Sequence, residues 1–345
     1  MAGNFVQLHN HTHYSLLDGA SKVPDLVKRV KELGMPAVGI TDHGNMHGAY
    51  ELWRAAVDSG VKPIIGIEAY VTPETARQDK TRVSWDTNWT PVPGHARNPD
   101  DVSGGGLITH LTMWAENDEG LVNLIKASSV ANLEGRVMRY PRMDKEVLST
   151  YSKGVIASSG CPSGIIQTRL RLGQFDEALR AAGEFQDIFG KDNFYIELMD
   201  HGLSIESKVT GDLLTIAKKL GAPLLATNDS HYVMEADKDA QDAMLCINSG
   251  ATLDDPNRFK FEGSGYYIKS AEEMRELFKD HPDACDNTLE IAERCNVIFD
   301  DHEDGAFMPQ FDCPEGWDET SLFLKKVEEG LEKRYGSPVP EREQK

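Results

Sequence analysis

Short apolar runs, several of them rich in β-branched residues, recur along the chain. Each is followed by polar residues and then by a segment of helical period. The runs are Phe5–Leu8, Ala37–Thr41, Pro63–Ile67, Leu107–Thr109, Gly154–Ser158, Asn193–Leu198 and Pro223–Thr227. Between the first two, Leu26, Val27, Val30 and Leu33 share one face of a predicted helix over Pro24–Leu33, and Gly34 is placed to stop it. The same period predicts helices around Glu119–Val130, Lys145–Thr150, Phe175–Phe189, Ile205–Leu220, Asp237–Ile247 and Ala271–Phe278. Strands alternating with helices imply parallel pairing and right-handed crossovers. Seven strands are too many for one half of an open nucleotide-binding sheet. They predict an α/β fold, a closed or nearly closed (β/α) barrel.

Two segments break the pattern. Pro73 to Gly106 is polar, rich in Pro, Gly, Asn, Asp and Thr, and without period. It reads as a long excursion between the third and fourth strands, functional or a tolerated surface insertion. From Asp301 the chain carries 12 acids, 6 bases and four prolines, with one amphipathic helix predicted over Glu319–Arg334.

Composition narrows the function classes. The chain has 345 residues, 40% of them apolar and 27% charged, which suits a soluble packed domain. No stretch approaches a membrane span, and Met1–Gln7 lacks the pattern of a signal peptide. Five scattered cysteines without CxxC spacing suggest reduced thiols and a cytoplasmic location. The net charge of −20 is the awkward number, because such a chain repels nucleic acid unless a local feature reverses the field.

The strand ends hold the chemistry. In a parallel barrel, reactive side chains follow the strands. Here those positions hold His9, His11, His13 and Asp18, then Asp42 and His43, Glu68, His110, Cys161, then Glu197, Asp200 and His201, and finally Asp229 and His231. Seven of the 11 histidines fall there. His9 and His11 are two apart, as are Asp229 and His231, so each pair faces one side of an extended strand. A single such pair is weak evidence; agreement across all the strand ends predicts a multinuclear metal site. Imidazole, carboxylate and thiolate together favour zinc, manganese or iron over calcium. Two or three divalent ions would activate a water and clamp a phosphate, which suits phosphoester hydrolysis. Amide or amine hydrolysis is the competing chemistry.

Leu8-His9-Asn10-His11 through Ser15 and Asp18-Gly19, Thr41-Asp42-His43-Gly44, Glu68, His110 and Asp229-Ser230-His231 resemble the PHP (polymerase and histidinol phosphatase) family. Longer motifs narrow the resemblance. Gly160-Cys161-Pro162-Ser163-Gly164, Glu197 through Gly202, Ala226 through Tyr232 and Asp255 through Phe261 are similar to the PHP domains that begin the α subunits of bacterial DNA polymerase III, the actinobacterial type above all. The resemblance implies a distorted (β/α)7 barrel over residues 1–300 with a trinuclear site. One ion would lie among His9, His11, Glu68 and Asp229, a second among Glu68, His110 and Cys161, and a third among Asp18, His43 and His231. Asp42 would orient His43 or its neighbours, while Asp200 and His201 would support ligands without touching an ion. His13 has no ligand role.

The implied activity is 3′–5′ exonucleolytic proofreading. A metal-bridging hydroxide near Glu68, with Asp229 and His231, would attack the terminal phosphodiester of a DNA 3′ end. Residues 301–345 would be a linker and the lead-in to a polymerase palm. The full-length protein would be a DNA-directed DNA polymerase, with the sliding clamp and other replisome subunits engaged through regions outside this chain, and no membrane partner. Arg136, Arg139, Arg169, Arg171, Arg258 and Lys260 are the candidate DNA contacts, the last two interleaved with aromatics as in single-strand binders. A metal-bound but silent structural module, or a stand-alone phosphatase for small esters, are the alternatives. Three ions would add about +6 to a pocket that contains Asp18, Glu68 and Asp229, leaving the rest of the surface acidic.

Overall fold

The computed structural model describes residues 4–86, 98, 105–299 and 309–343. The chain divides into two compact units, Met1–Phe299 and Asp300–Lys345. The first is an α/β unit with strands β1 (Ala37–Ile40), β2 (Lys62–Val71), β3 (Thr109–Ala115), β4 (Arg142–Met143), β5 (Val155–Ser158), β6 (Phe194–Leu198) and β7 (Leu224–Ala226). They form one sheet in the order β1-β2-β3-β5-β6-β7, with β4 beside β2.

The N-terminal run joins the two edges of this sheet. Gln7 bridges Val38 on the β1 side, and Asn10 bridges Ser230 just past β7, both in parallel. Gly39 N donates to Gln7 O and Thr41 N to Asn10 O, while His11 N and Ser230 O, and Ser230 N and His9 O, exchange bonds on the other side. The predicted strand over Phe5–Leu8 is therefore an extended closing segment with isolated bridges rather than a regular strand.

The expectation of all-parallel pairing fails at the fourth strand. β3 runs antiparallel to both β2 and β5, and it begins at Thr109 instead of ending there. An antiparallel strand presents its first residues where its parallel neighbours present their last ones. His110 thus reaches the same end of the barrel from a strand of the opposite sense. The sequence pattern also missed helices Ala49–Ser59, Ile165–Arg171 and Pro282–Arg294. Every residue of Ile165–Arg171 is buried, so it has no polar stripe to reveal its period.

Two apolar clusters divide the core. The larger lies between the strands and the surrounding helices. The smaller fills the barrel floor with Val6, Leu8, Ala37, Ile64, Trp114, Ile156, Tyr195 and Leu225, closed by Ile291 and Ala292 of helix Pro282–Arg294 and by Cys295 just after it. Because strand side chains alternate, stepping by two from this floor leads to the mouth. On β2 the steps are Ile64, Gly66, Glu68 and Tyr70; on β3, paired opposite, Trp114 faces Gly66, Thr112 faces Glu68 and His110 faces Tyr70. On β6 and β7 the same step leads from Tyr195 to Glu197 and from Leu225 through Thr227 to Asp229. Gly66 is required by its neighbour: a Cβ there would lie 2.7 Å from the Trp114 ring and 2.5 Å from Met113 O.

The polar excursion is anchored where it is described. Val83 N donates to Gly106 O, and Trp85 is buried. Residues 87–97 and 99–104 of it lie outside the described residues, as do residue 300 and 301–308 of the predicted linker. In the second unit, helix Glu319–Tyr335 starts at an Asp318 cap. Among the described residues no helix is long and apolar enough to cross a membrane.

Candidate metal centre

The barrel mouth brings nine sequence candidates together. His9 Nε2 lies 3.6 Å from Glu68 Oε1 and 3.4 Å from Asp229 Oδ1. His11 Nε2 lies 3.3 Å from Glu68 Oε2 and 3.0 Å from Asp229 Oδ1. His110 Nδ1 sits 3.1 Å from Glu68 Oε1 and 3.5 Å from Cys161 Sγ. Asp18 Oδ2 is 2.9 Å from His43 Nε2 and 3.6 Å from His231 Nε2. His43 Nδ1 also reaches Glu68 Oε2 at 2.7 Å. Glu68 is therefore the hub. Such spacings are those of donor atoms sharing one ion at about 2.0–2.3 Å from each.

The donor atoms fit metals on their own chemistry. His9 Nε2, His11 Nε2, His43 Nδ1, Glu68 Oε2 and Asp229 Oδ1 are buried and make no hydrogen bond of proper geometry. Buried polar atoms are rarely left this way without an ion or water. The outer ring nitrogens explain which atoms point inward. His9 Nδ1 donates to Glu197 Oε1 at 2.7 Å, His11 Nδ1 to Ser15 Oγ at 2.9 Å and His231 Nδ1 to Asp229 O at 2.8 Å. Each acceptor fixes the proton on Nδ1 and leaves Nε2 as the inward lone pair.

Electrostatics agree with that donor set. Burial disfavours charge on Glu68, yet His110, His43 and His9 outweigh it and hold its carboxyl well below the usual range. Asp18 is likewise held low against burial by His231 and His43, and Asp229 by His9 and His231. Burial alone would lower His9, but Glu197, Asp229 and Glu68 raise it well above its ordinary value. The Cys161 thiol is pushed well up by burial, then by Glu68 and Asp229. A carboxylate-rich field that protonates imidazoles and suppresses a thiolate also attracts cations, and a bound cation lowers a thiol's pKa.

The supporting residues differ from those expected. Asp42 accepts from Thr12 N, Thr12 Oγ1 and Ser15 Oγ at 2.7–2.8 Å. It therefore acts through Ser15, which also accepts from His43 N at 3.1 Å. Asp200 is exposed and only caps a turn at Gly202 N, so it supports no ligand. His201 is buried between Glu206 and Asn228 O, with Tyr266 stacked at 4.0 Å; it braces the residue before Asp229. Glu197 is the support left out of the sequence-based assignment. It accepts from His9, Ser158 and Thr227, and a carboxylate at an inward position of an apolar strand was the available signal. Among the described residues His13 joins no ligand group; it rests 3.4 Å from Ser21 O.

The candidate DNA contacts separate sharply. Arg136 and Arg139 line a cleft of about 700 Å³ that opens over Asp18, His43 and His110. Arg169 is buried against the Trp85 ring at 4.2 Å and pairs with Glu74. Arg171 is buried and donates to Thr168 Oγ1. Neither can meet DNA without unpacking helix Ile165–Arg171. Arg258 is held by Asp242 through both guanidinium nitrogens, and Lys260 is exposed beside it.

A family model described as the PHP domain matches residues 7–201. The chain belongs to the PHP family. It is 50% identical over 338 residues to the DNA polymerase III subunit alpha of Mycobacterium leprae, covering 98% of this chain and 28% of that protein. It is 51% identical over 332 residues to the subunit of the same name from Saccharopolyspora erythraea, covering 96% and 28%. The chain thus spans little more than a quarter of these relatives. Among solved structures, a Bifidobacterium adolescentis protein described as a candidate metal-dependent phosphoesterase superposes with a TM-score of 0.37 at 15% identity, covering 79% of this chain and 96% of that one. A two-domain Bacteroides vulgatus protein with a PHP-like phosphoesterase region gives the same score at 12% identity, covering 86% and 71%. Actinobacterial DNA polymerase III alpha subunits are thus among the relatives of this PHP domain.

Proposed function

We propose that this PHP domain is a metal-dependent 3′–5′ exonuclease serving the proofreading of a replicative DNA polymerase. The observation that carries the reading is the set of buried, unpartnered donor atoms on His9, His11, His43, Glu68 and Asp229. Two to three divalent ions, zinc, manganese or iron, would supply an activated water and neutralise charge on a phosphodiester. His9, His11, Glu68 and Asp229 would hold one; Glu68, His110 and Cys161 a second; Asp18, His43 and His231 a third. Glu68 joins these sets because its two oxygens face different imidazoles. His231 lies beside the cleft residue Asp18 and, with Asp229 and Glu68, would flank the activated water. Residues 301–345 then lead from the barrel, residues 1–300, toward the polymerase palm, and the working location is the cytoplasm.

The test is a primer–template with a mismatched 3′ end, incubated with this chain and with Asp229→Asn, each with and without chelator. Release of nucleoside monophosphate that chelator and the variant both abolish supports the reading. Bound ions with no chelator-sensitive release overturn it. Phosphate release from histidinol phosphate alone would make the site a small-ester phosphatase.

A further inference from the structure

The cleft has a wall that the metal cluster does not use. Val137 and Tyr140 exchange backbone bonds of 3.0 Å in both directions, closing a tight turn over Met138 and Arg139. Met138 sits at its tip with φ of 54°, a conformation that bulky residues rarely adopt and that persists where the surroundings impose it. The turn holds Arg139 over the Tyr140 ring at 5.3 Å and against Asn248 Oδ1 at 2.6 Å. From there a ladder of rings runs inward: Tyr140 to Tyr70 at 5.0 Å, then Tyr70 to His110 at 5.3 Å.

The charges on this wall are unusual for so acidic a chain. Arg136 and Arg139 are exposed on the cleft, and among the described residues neither forms an ion pair with a carboxylate. Arg77, Arg169, Arg180, Arg258 and Arg294 all do. Asp18 is the one carboxylate among the described cleft residues. Phe259, 61% exposed, and Leu16, 76% exposed, also line the cleft. Unpaired guanidinium groups beside exposed rings suit a strand whose phosphates and unstacked bases are both accessible.

We propose that the turn Arg136–Tyr140 grips a single-stranded 3′ end: Arg136 and Arg139 take the phosphates on the 5′ side of the scissile one, and Tyr140 and Phe259 stack the last bases. The inference rests on the nuclease reading for its substrate and adds a preference for unpaired strands over duplex ends. Stacking needs bases that have left the duplex, so a mismatched terminus enters and a paired one does not.

Fluorescence anisotropy of a labelled single-stranded oligonucleotide reads the grip without turnover. Arg136→Ala/Arg139→Ala should flatten the slope of log affinity against log salt by about 1.4, or about 0.7 per lost phosphate contact. Tyr140→Leu should weaken binding about 5- to 150-fold, the range that 1–3 kcal/mol of stacking gives. The paired lysine variant, which keeps both charges, should restore the slope. Thermal melting of the same samples should show all three variants folded. Equal binding by wild type and variants, no binding at all, or equal affinity for a blunt duplex overturns the grip. Arginine-dependent binding without chelator-sensitive hydrolysis overturns the nuclease reading and leaves the grip standing.

Discussion

Glu197 accepts the Nδ1 proton of His9 at 2.7 Å, and both side chains are completely buried. The same carboxylate also accepts from Ser158 and Thr227. The closing segment, β5 and the residue after β7 thus converge on one group whose role is to aim a single imidazole. A metal-binding histidine depends on such an acceptor for its tautomer, its orientation and its basicity.

Glu197→Gln should therefore lower metal affinity about 10- to 100-fold while leaving the fold intact. The amide keeps an acceptor for His9 but loses the charge. Metal titration read by calorimetry checks this. An unchanged affinity would mean that the floor below His9, not Glu197, sets the ring.

The candidate donors that meet at the mouth could be read in advance because metal donors are few and chemically distinct, and because strand ends concentrate them. His9 with His11, and Asp229 with His231, follow from a two-residue step on extended chain, and Glu68 from its place at a strand end. What could not be read were relations that depend on strand sense and on neighbours distant in sequence. Nothing local to Thr109–Ala115 says that it runs against β2 and β5. Arg169 and Arg171 read in sequence as candidate DNA contacts. Their burial comes from packing of Ile165–Arg171 and from Trp85, in a segment with no period to read. Glu197 and Asp200 are three residues apart and equally acidic, yet only the first faces inward.

Gly39→Ala should damage the site from a distance. A Cβ at Gly39 would stand 2.7 Å from Leu8 O and 3.1 Å from Leu8 Cα, in the segment that presents His9 and His11. Backbone cannot rotate away as a side-chain tip can. Such overpacking costs about 1–3 kcal/mol, and here the displacement falls on two of the proposed ligands. Denaturant unfolding and metal content should both decline. A variant that loses stability but binds metal normally would show that the closing segment can shift without moving its histidines.

Arg169→Ala tests the burial of a residue that sequence placed among DNA contacts. Its guanidinium lies on Trp85 and bonds Gln174 Oε1 at 2.6 Å as well as Glu74. Loss of a hydrogen-bonded charge of this kind costs about 1.5–3 kcal/mol. Oligonucleotide affinity should stay that of the wild type at temperatures where the variant is folded. Weakened binding with unchanged stability would return Arg169 to the nucleic-acid surface.

Lys269 gives the structure a pH signature apart from the metal ligands. Its ammonium donates to Asn228 Oδ1 and to Gly265 O, both at 2.6 Å. Burial lowers its pKa to about 8, although Glu273, Asp200, Glu206 and Glu235 pull it upward. An unfolded chain returns lysine to about 10.4. Below pH 8 both states hold the proton, and the cost of burying it is fully present. Between about 8 and about 10.4 the unfolded state binds more protons than the folded one, so this group's contribution to stability rises with pH. The stability of wild type minus that of Lys269→Met should therefore be flat below pH 8 and grow in favour of wild type above it, up to the range where tyrosines titrate. Denaturant midpoints measured on either side of pH 8 decide the matter. A difference that stays flat across that window would mean that Lys269 titrates as a solvated amine, and that Asn228, the residue before Asp229, is held by His201 instead.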